Sequence, residues 1–485
     1  MLLKLFKKTL KNKLIIYLGS RYATYFVQFI TSLIIASKLG PTSFGVWGVI
    51  LLLLNYFRIV NFGVANAYNI FAIQNKSDEI KVKKVTASSL LILTFLSIVI
   101  VFIALYHHFI GFEYILKYDL GNLFYYTCIA AILTHFNTLF MNIYRIKNRL
   151  FEIGLYQSVI PLILFIVALF SNSDKLLEFL TLSYVAGNII ALIIFIFNGK
   201  IPFGEYPSLE WVRKIIDKGI YLFIYNLCFY FILLSIRTLI SLEYTVTEFG
   251  FFSFSFALAN AILMFLQALT FIVFPKVIDK FNTTDKVYVS TLISNIRDSY
   301  VAFSFGLVFV AIIFFPVLIY FVPKYAEGLL SLQLIALTII LYTQSFGYNT
   351  YLMAQNKERT IAKIALFSLS INLGMACMLI YGFNVAYDKV IIATLVSYFM
   401  FAYLAMFFAK KELGLKNSPF SNLKEIFPLR LLVPYVAALI IIFLELNFFL
   451  PIPLILFIIL NKNKLKGVIL KLKTIFTKPD IINLD

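Results

Sequence analysis

The sequence predicts an all-α polytopic membrane protein, with about fourteen transmembrane helices arranged as two pseudo-symmetric six-helix lobes plus a C-terminal helix pair. Three observations carry this. Of 485 residues, 61 % are hydrophobic and only 13 % charged, with a mean hydropathy of +0.92, whereas a soluble domain holds roughly 45–50 % and about 25 %. The apolar residues fall in uncharged runs that reach the roughly 20 residues a spanning helix needs. The basic residues collect in every second gap between those runs, the pattern of cytoplasmic loops. A water-soluble enzyme is excluded.

Ten uncharged runs read as spans: 85–112, 120–144, 153–173, 179–199, 219–236, 249–275, 299–323, 328–356, 364–387 and 390–409. Two precede them, near 14–37 and 44–66, each interrupted by one arginine. Two follow, 431–446 and 447–460, hinged at Leu450-Pro451-Ile452-Pro453. Run length favours helices over barrel strands, which show only short alternation. With the first residue inside, the cytoplasmic gaps and both ends carry 34 Lys and Arg against 5 in the opposite gaps, with three arginines inside spans. Both termini are therefore expected to be cytoplasmic.

The basic start is expected to be a mature interfacial segment and not a cleaved signal peptide, because no small-residue cleavage site follows it. Leu2, Leu3, Leu5, Phe6 and Leu10 alternate there with Lys4, Lys7, Lys8 and Lys11. Val468, Leu472 and Ile475 alternate with Lys464, Lys466, Lys471 and Lys473 at the other end. Both read as amphipathic lipid-surface anchors. The net charge of +19 follows from this placement, and no basic segment is long enough for a nucleic-acid module. Cys128, Cys228 and Cys377 stand far apart inside apolar runs, so neither disulfide nor metal spacing exists.

A faint repeat organises the chain. Thr42-Ser43-Phe44-Gly45 recurs as Thr247-Glu248-Phe249-Gly250 at an offset of 205, and at the same offset Asn55 falls on Asn260. Parallel repeats of this kind build transporters that bind substrate between lobes. The expected organisation is an N-terminal lobe over 1–198, a cytoplasmic amphipathic connector over 199–218, a C-terminal lobe over 219–409, and a helix pair with a basic tail over 410–485.

Of 23 acidic residues only Glu445 falls within a proposed span, at its outer end, whereas Arg21, Arg58 and Arg237 lie within spans. An arginine at mid-bilayer costs about 2.5–3.5 kcal/mol on insertion scales, so these three are expected to face a hydrated cavity. Snorkelling or a bond to a backbone carbonyl is the competing reading, strongest for Arg237 near an outer end. Thr24, Gln28 and Thr31 continue the Arg21 face, and Asn55 and Asn61 flank Arg58 at three residues either side. A cationic stripe without acids favours an anion, and guanidinium matches phosphate through its planar fork. His135 is read as a packing histidine, with a proton relay as the rival. The aromatic residues at 221, 225 and 229 could stack on sugar rings or simply pack. No phosphate-binding glycine loop, zinc spacing or nucleophile triad occurs, so neither an enzyme nor a cofactor is expected.

The stretch Leu39-Gly40-Pro41-Thr42-Ser43-Phe44-Gly45-Val46-Trp47, followed by Val60-Asn61-Phe62-Gly63-Val64-Ala65-Asn66-Ala67, resembles the Wzx-type polysaccharide flippases of the multidrug/oligosaccharidyl-lipid/polysaccharide exporter superfamily. Asn61 stands where that family usually has an aspartate, and in Ser235-Ile236-Arg237 the residue Ile236 replaces another. The resemblance implies a flippase for undecaprenyl-diphosphate-linked oligosaccharide units in the bacterial cytoplasmic (inner) membrane, serving O-antigen or capsule synthesis. It implies membrane lipid, and a polysaccharide polymerase with its chain-length machinery, as partners. Substrate binding would fall to Arg21, Arg58, Arg237, Gln28, Asn55 and Asn61. A lipid II-type flippase is one alternative, and the fourteen-helix count suits it. A multidrug cation antiporter is another, although it needs buried carboxylates. A non-transporting assembly subunit would leave the arginines unexplained.

Overall fold

A computed structural model describes residues 13–61, 63–281 and 285–477. The predicted N-terminal anchor lies outside them, as do the side chains of Val468, Leu472 and Ile475 at the other end. The described chain is helical throughout, in two compact units. The first comprises residues 1–227 and 241–250, the second 228–240 and 251–485.

The first unit opens with α1 (Lys13–Ile59), broken at Gly40, whose φ of +72° is open to glycine at no steric cost and precedes Pro41 at the start of the second limb. There follow α2 (Val64–Gln74), α3 (Glu79–Ile110), the short α4 (Glu113–Lys117), α5 (Asn122–Ile146), α6 (Leu150–Phe170) and α7 (Ser173–Phe197). Asp78 caps α3 by accepting from the Lys81 N–H at 3.0 Å. Its core joins α2, α3, α5 and α7 through Leu93, Leu96, Phe140, Tyr144 and Phe195. Polar side chains inside bond to backbone carbonyls of neighbouring helices. Asn137 donates to the Asn188 carbonyl at 2.9 Å and Tyr144 to the Phe195 carbonyl at 2.7 Å. At Gly187 a side chain would strike Ile160, so α6 and α7 approach closely there.

α8 (Leu209–Glu243) and α9 (Val246–Phe281) run through both units. The second unit continues with α10 (Lys286–Phe321), α11 (Leu329–Gln344), α12 (Tyr348–Ala354), α13 (Glu358–Cys377), α14 (Ile392–Leu413), α15 (Pro419–Ile426), α16 (Leu429–Phe443) and α17 (Pro451–Thr477). Its centre is α11, buried over nearly its whole surface. α17 docks on α10 through Phe457, stacked on Phe305 with ring centroids 5.3 Å apart, and Tyr435 of α16 meets Phe305 from another side.

Among the described residues eleven helices are long and apolar enough to cross a membrane, or twelve if α15 and α16, bent by 68°, form one broken span. The chain is a multi-pass membrane protein, but fourteen spans are not confirmed. The two α1 limbs and α2 count there as one helical run over 19–74. Glu445 lies outside any helix, exposed in the turn after α16 with φ +54°.

Candidate functional site

The first limb of α1 runs beside α6 in the same direction. Ser20 faces Gly154, Thr24 shares a 2.9 Å hydroxyl bond with Ser158, and the Lys38 ammonium donates to the carbonyls of Leu169 and Ser171 at 2.9 and 3.0 Å. After Gly40 the chain returns. Trp47 packs against Tyr184 of α7 with centroids 5.8 Å apart, and the Phe57 carbonyl lies 2.7 Å from His135 Nε2 of α5. Arg58 then reaches electrostatic range of both Tyr156 and Tyr184. Tyr156 lies two residues before Ser158 on α6, the helix that Thr24 contacts.

The two arginines differ in setting. Arg58 is exposed, whereas Arg21 is half-buried with its guanidinium 4.8 Å from the centroid of the Tyr25 ring. No ion pair engages either among the described residues. Gln28 is half-buried, and its buried Oε1 has no hydrogen-bond partner. Asn55 is half-buried. Asn61 is engaged in the backbone: its Nδ2 donates to the Arg58 carbonyl at 3.2 Å and its Oδ1 accepts from the Gly63 N–H at 2.9 Å. This Asx-type turn closes the gap between α1 and α2. Thr24 and Thr31 likewise donate to backbone carbonyls one turn back, at 2.8 and 2.7 Å.

Arg237 belongs to the second unit. It is 3 % exposed and its guanidinium stands 4.4 Å from the centroid of the Phe256 ring. One turn earlier on the same helix, Asn372 donates to the Ile232 carbonyl at 2.7 Å and the Ser235 hydroxyl at 3.0 Å. Of the three aromatic positions on α8, only Phe229 has a described side chain, and it packs against Tyr342, Tyr398 and Phe401.

Two features escape sequence reasoning. Tyr156 and Tyr184 come within electrostatic reach of Arg58 from helices far along the chain, with no local pattern to mark them. Arg297 and Asp298, counted in sequence as loop charges, lie inside the long α10. Arg297 is 3 % exposed and donates to the carbonyls of Glu425 and Ile426 at 2.9 and 2.7 Å and to Gln344 Oε1 at 3.2 Å. Glu425 is also bonded to Lys410 and Tyr348, and Asp298 pairs with Arg430 and Lys464. These side chains fasten α15, α16 and α17 to the second unit. Among the described residues no cluster of three His, Cys, Asp or Glu could hold a metal ion.

A family model described as "Polysaccharide biosynthesis protein" covers residues 10–279. The chain belongs to this family. Its fold is that of the MOP superfamily of flippases and transporters. The lipid II flippase MurJ in an inward closed conformation matches with a TM-score of 0.69 at 13 % identity, over 96 % of this chain and 99 % of that one. An inward-facing multidrug resistance MATE family transporter matches with a TM-score of 0.60 at 13 % identity, over 83 % and 98 %. At such identity the likeness extends to the fold alone. No curated protein sequence matches the chain.

Proposed function

We propose that the chain translocates undecaprenyl-diphosphate-linked oligosaccharide repeat units from the inner to the outer leaflet of a bacterial cytoplasmic membrane, by alternating access of two lobes, for O-antigen or capsule synthesis. Arg58 carries this reading. An exposed guanidinium with no carboxylate partner among the described residues, on a membrane helix and within electrostatic reach of Tyr156 and Tyr184, can serve as a receptor for a phosphate beside a sugar. The fork donates to diphosphate oxygens, while phenol rings offer an apolar face and a hydroxyl to the first pyranose. Arg21 adds positive charge, and Gln28 Oε1 is an open acceptor for a sugar hydroxyl. Asn55 completes this wall. Asn61 supports it by fixing the turn, and Arg237 is a further candidate contact for the anion. The polyprenyl tail stays in lipid, and both termini remain cytoplasmic.

A cation antiporter would put carboxylates where this chain has arginines. A lipid II-type flippase shares the polyprenyl diphosphate, so the same Arg58 chemistry serves it. The test separates them. The chain and its Arg58→Lys, Arg58→Ala and Arg58→Glu variants are expressed in a strain lacking its polysaccharide flippase, and membrane abundance is measured alongside surface polysaccharide. The wild-type chain should restore polymer, lysine should retain part, and alanine and glutamate should lose nearly all at equal abundance. Full polymer in the glutamate strain refutes anion binding at Arg58. Rescue of a lipid II flippase depletion instead of the polysaccharide defect moves the substrate to lipid II.

A further inference from the structure

Charge around the turn between α14 and α16 is unbalanced once its ion pairs are taken out. The stretch 410–430 holds two acids and five basic residues. Both acids are engaged, Glu412 with Lys357 at 3.0 Å and Glu425 with Lys410. Arg430 pairs with Asp298 at 3.3 Å. Lys411, Lys416 and Lys424 are exposed and form no ion pair among the described residues. All three belong to the second unit.

The helix that lies among them, α15, has three strips. Asn422 and Ile426, one turn apart, are buried. Asn422 Oδ1 accepts from the Lys410 ammonium of α14 at 3.1 Å, and Arg297 of α10 holds the carbonyls of Glu425 and Ile426. Beside this anchored strip Phe420 and Leu423 are 67 % and 42 % exposed, and Leu429 beyond the bend is 73 % exposed. At 3.6 residues per turn Ser421 and Lys424 fall on the remaining side, and the Lys424 ammonium stands 4.7 Å from the centroid of the Phe420 ring.

Orientation gives this pattern its meaning. α16, apolar from Leu431 to Phe443, packs along α17, which is long and apolar enough to cross a membrane, and α15 is bent 68° from α16. α15 therefore lies closer to the membrane plane than to its normal. Ser421, Asn422, Lys424 and Glu425 make half of its eight residues polar, which keeps it out of the hydrocarbon. Exposed apolar side chains bordered by lysine, on a helix lying flat, suit the boundary between acyl chains and headgroups. Lysines without acidic partners favour headgroups of negative charge.

We propose that α15 binds an anionic phospholipid surface, with Phe420, Leu423 and Leu429 entering the acyl boundary and Lys424, Lys416 and Lys411 meeting lipid phosphates. Because the inner strip is bonded to α10 and α14, lipid held there steadies the second unit. The inference is independent of what the chain translocates.

The test uses the full chain carrying Cys128→Ala, Cys228→Ala and Cys377→Ala, with Phe420→Cys, Leu423→Cys or Ser421→Cys added singly and labelled with a fluorophore. In phosphatidylglycerol vesicles the labels at 420 and 423 should be quenched by a phospholipid bearing a nitroxide near the headgroup end of its acyl chain. The label at 421 should be quenched by aqueous iodide. Iodide quenching of all three overturns the membrane contact. Shielding of 420 and 423 in native membranes but not in vesicles assigns the face to a protein partner and overturns it too. In detergent, the label at 423 is then titrated with nitroxide-bearing phosphatidylglycerol or phosphatidylcholine. Phosphatidylglycerol should quench at the lower concentration. Lys416→Gln and Lys424→Gln, both at exposed positions, should each raise its midpoint about fivefold, equal to about 1 kcal/mol. Equal midpoints for the two lipids, or for parent and double variant, overturn the anionic preference.

Discussion

Arg58 and Arg297 make an instructive pair. Each sits on a long membrane helix, and in sequence each is one cation near a span boundary. Arg297 is buried, its donors directed at two carbonyls and a glutamine, with Glu425 joined to the same cluster. Arg58 is exposed, within electrostatic reach of two tyrosines and paired with no carboxylate among the described residues. A guanidinium bonded to buried acceptors on other helices holds those helices together. One with donors open to water is available to a ligand.

Substitution should split the two. Arg297→Ala leaves three acceptors unsatisfied in a buried site, an effect of about 3–5 kcal/mol. Membrane abundance and detergent-solubilised thermal stability should collapse, with export per surviving molecule nearly intact. Arg58→Ala should do the reverse, normal abundance with export almost gone. If both lose abundance, the contrast is broken and Arg58 is structural. Arg21→Ala should be milder, a several-fold drop in export from a loss of about 1 kcal/mol, because its guanidinium rests on Tyr25 and supplies charge from one side only. Asn61→Ala is the smallest. Removing the Asx turn should cost about 1 kcal/mol and lower thermal stability slightly, while Asn61→Asp, which keeps the acceptor for the Gly63 N–H, should restore it. Equal stability of both variants would show that Gly63 sets the turn alone.

The sequence made much of this visible where the signal is local. Uncharged runs mark the helices, the gap between the runs near 14–37 and 44–66 marks the reversal inside α1, and the repeat at an offset of 205 marks two equivalent turns. Arg21 and Arg58 stand out because charge within an apolar run is rare and costly. What stayed hidden depends on partners far along the chain. Tyr156 and Tyr184 are two among 30 tyrosines, and only the return of the second limb selects them. Asn61 looked like part of a polar stripe because spacing cannot tell a ligand-facing amide from one folded back on its own turn. Arg297 and Asp298 were assigned to a loop because charge statistics at span edges favour solvent, yet α15, α16 and α17 come back over them.

The reversal at Gly40 also governs how the nascent chain enters the bilayer. Either limb alone would carry an arginine into the hydrocarbon at about 2.5–3.5 kcal/mol. Joined by a short turn, the limbs leave the ribosome close together and insert as one hairpin. Inserted as a pair, the limbs can pack their polar groups against each other instead of lipid. The turn that reverses α1 thus also shapes how its two charges enter the membrane.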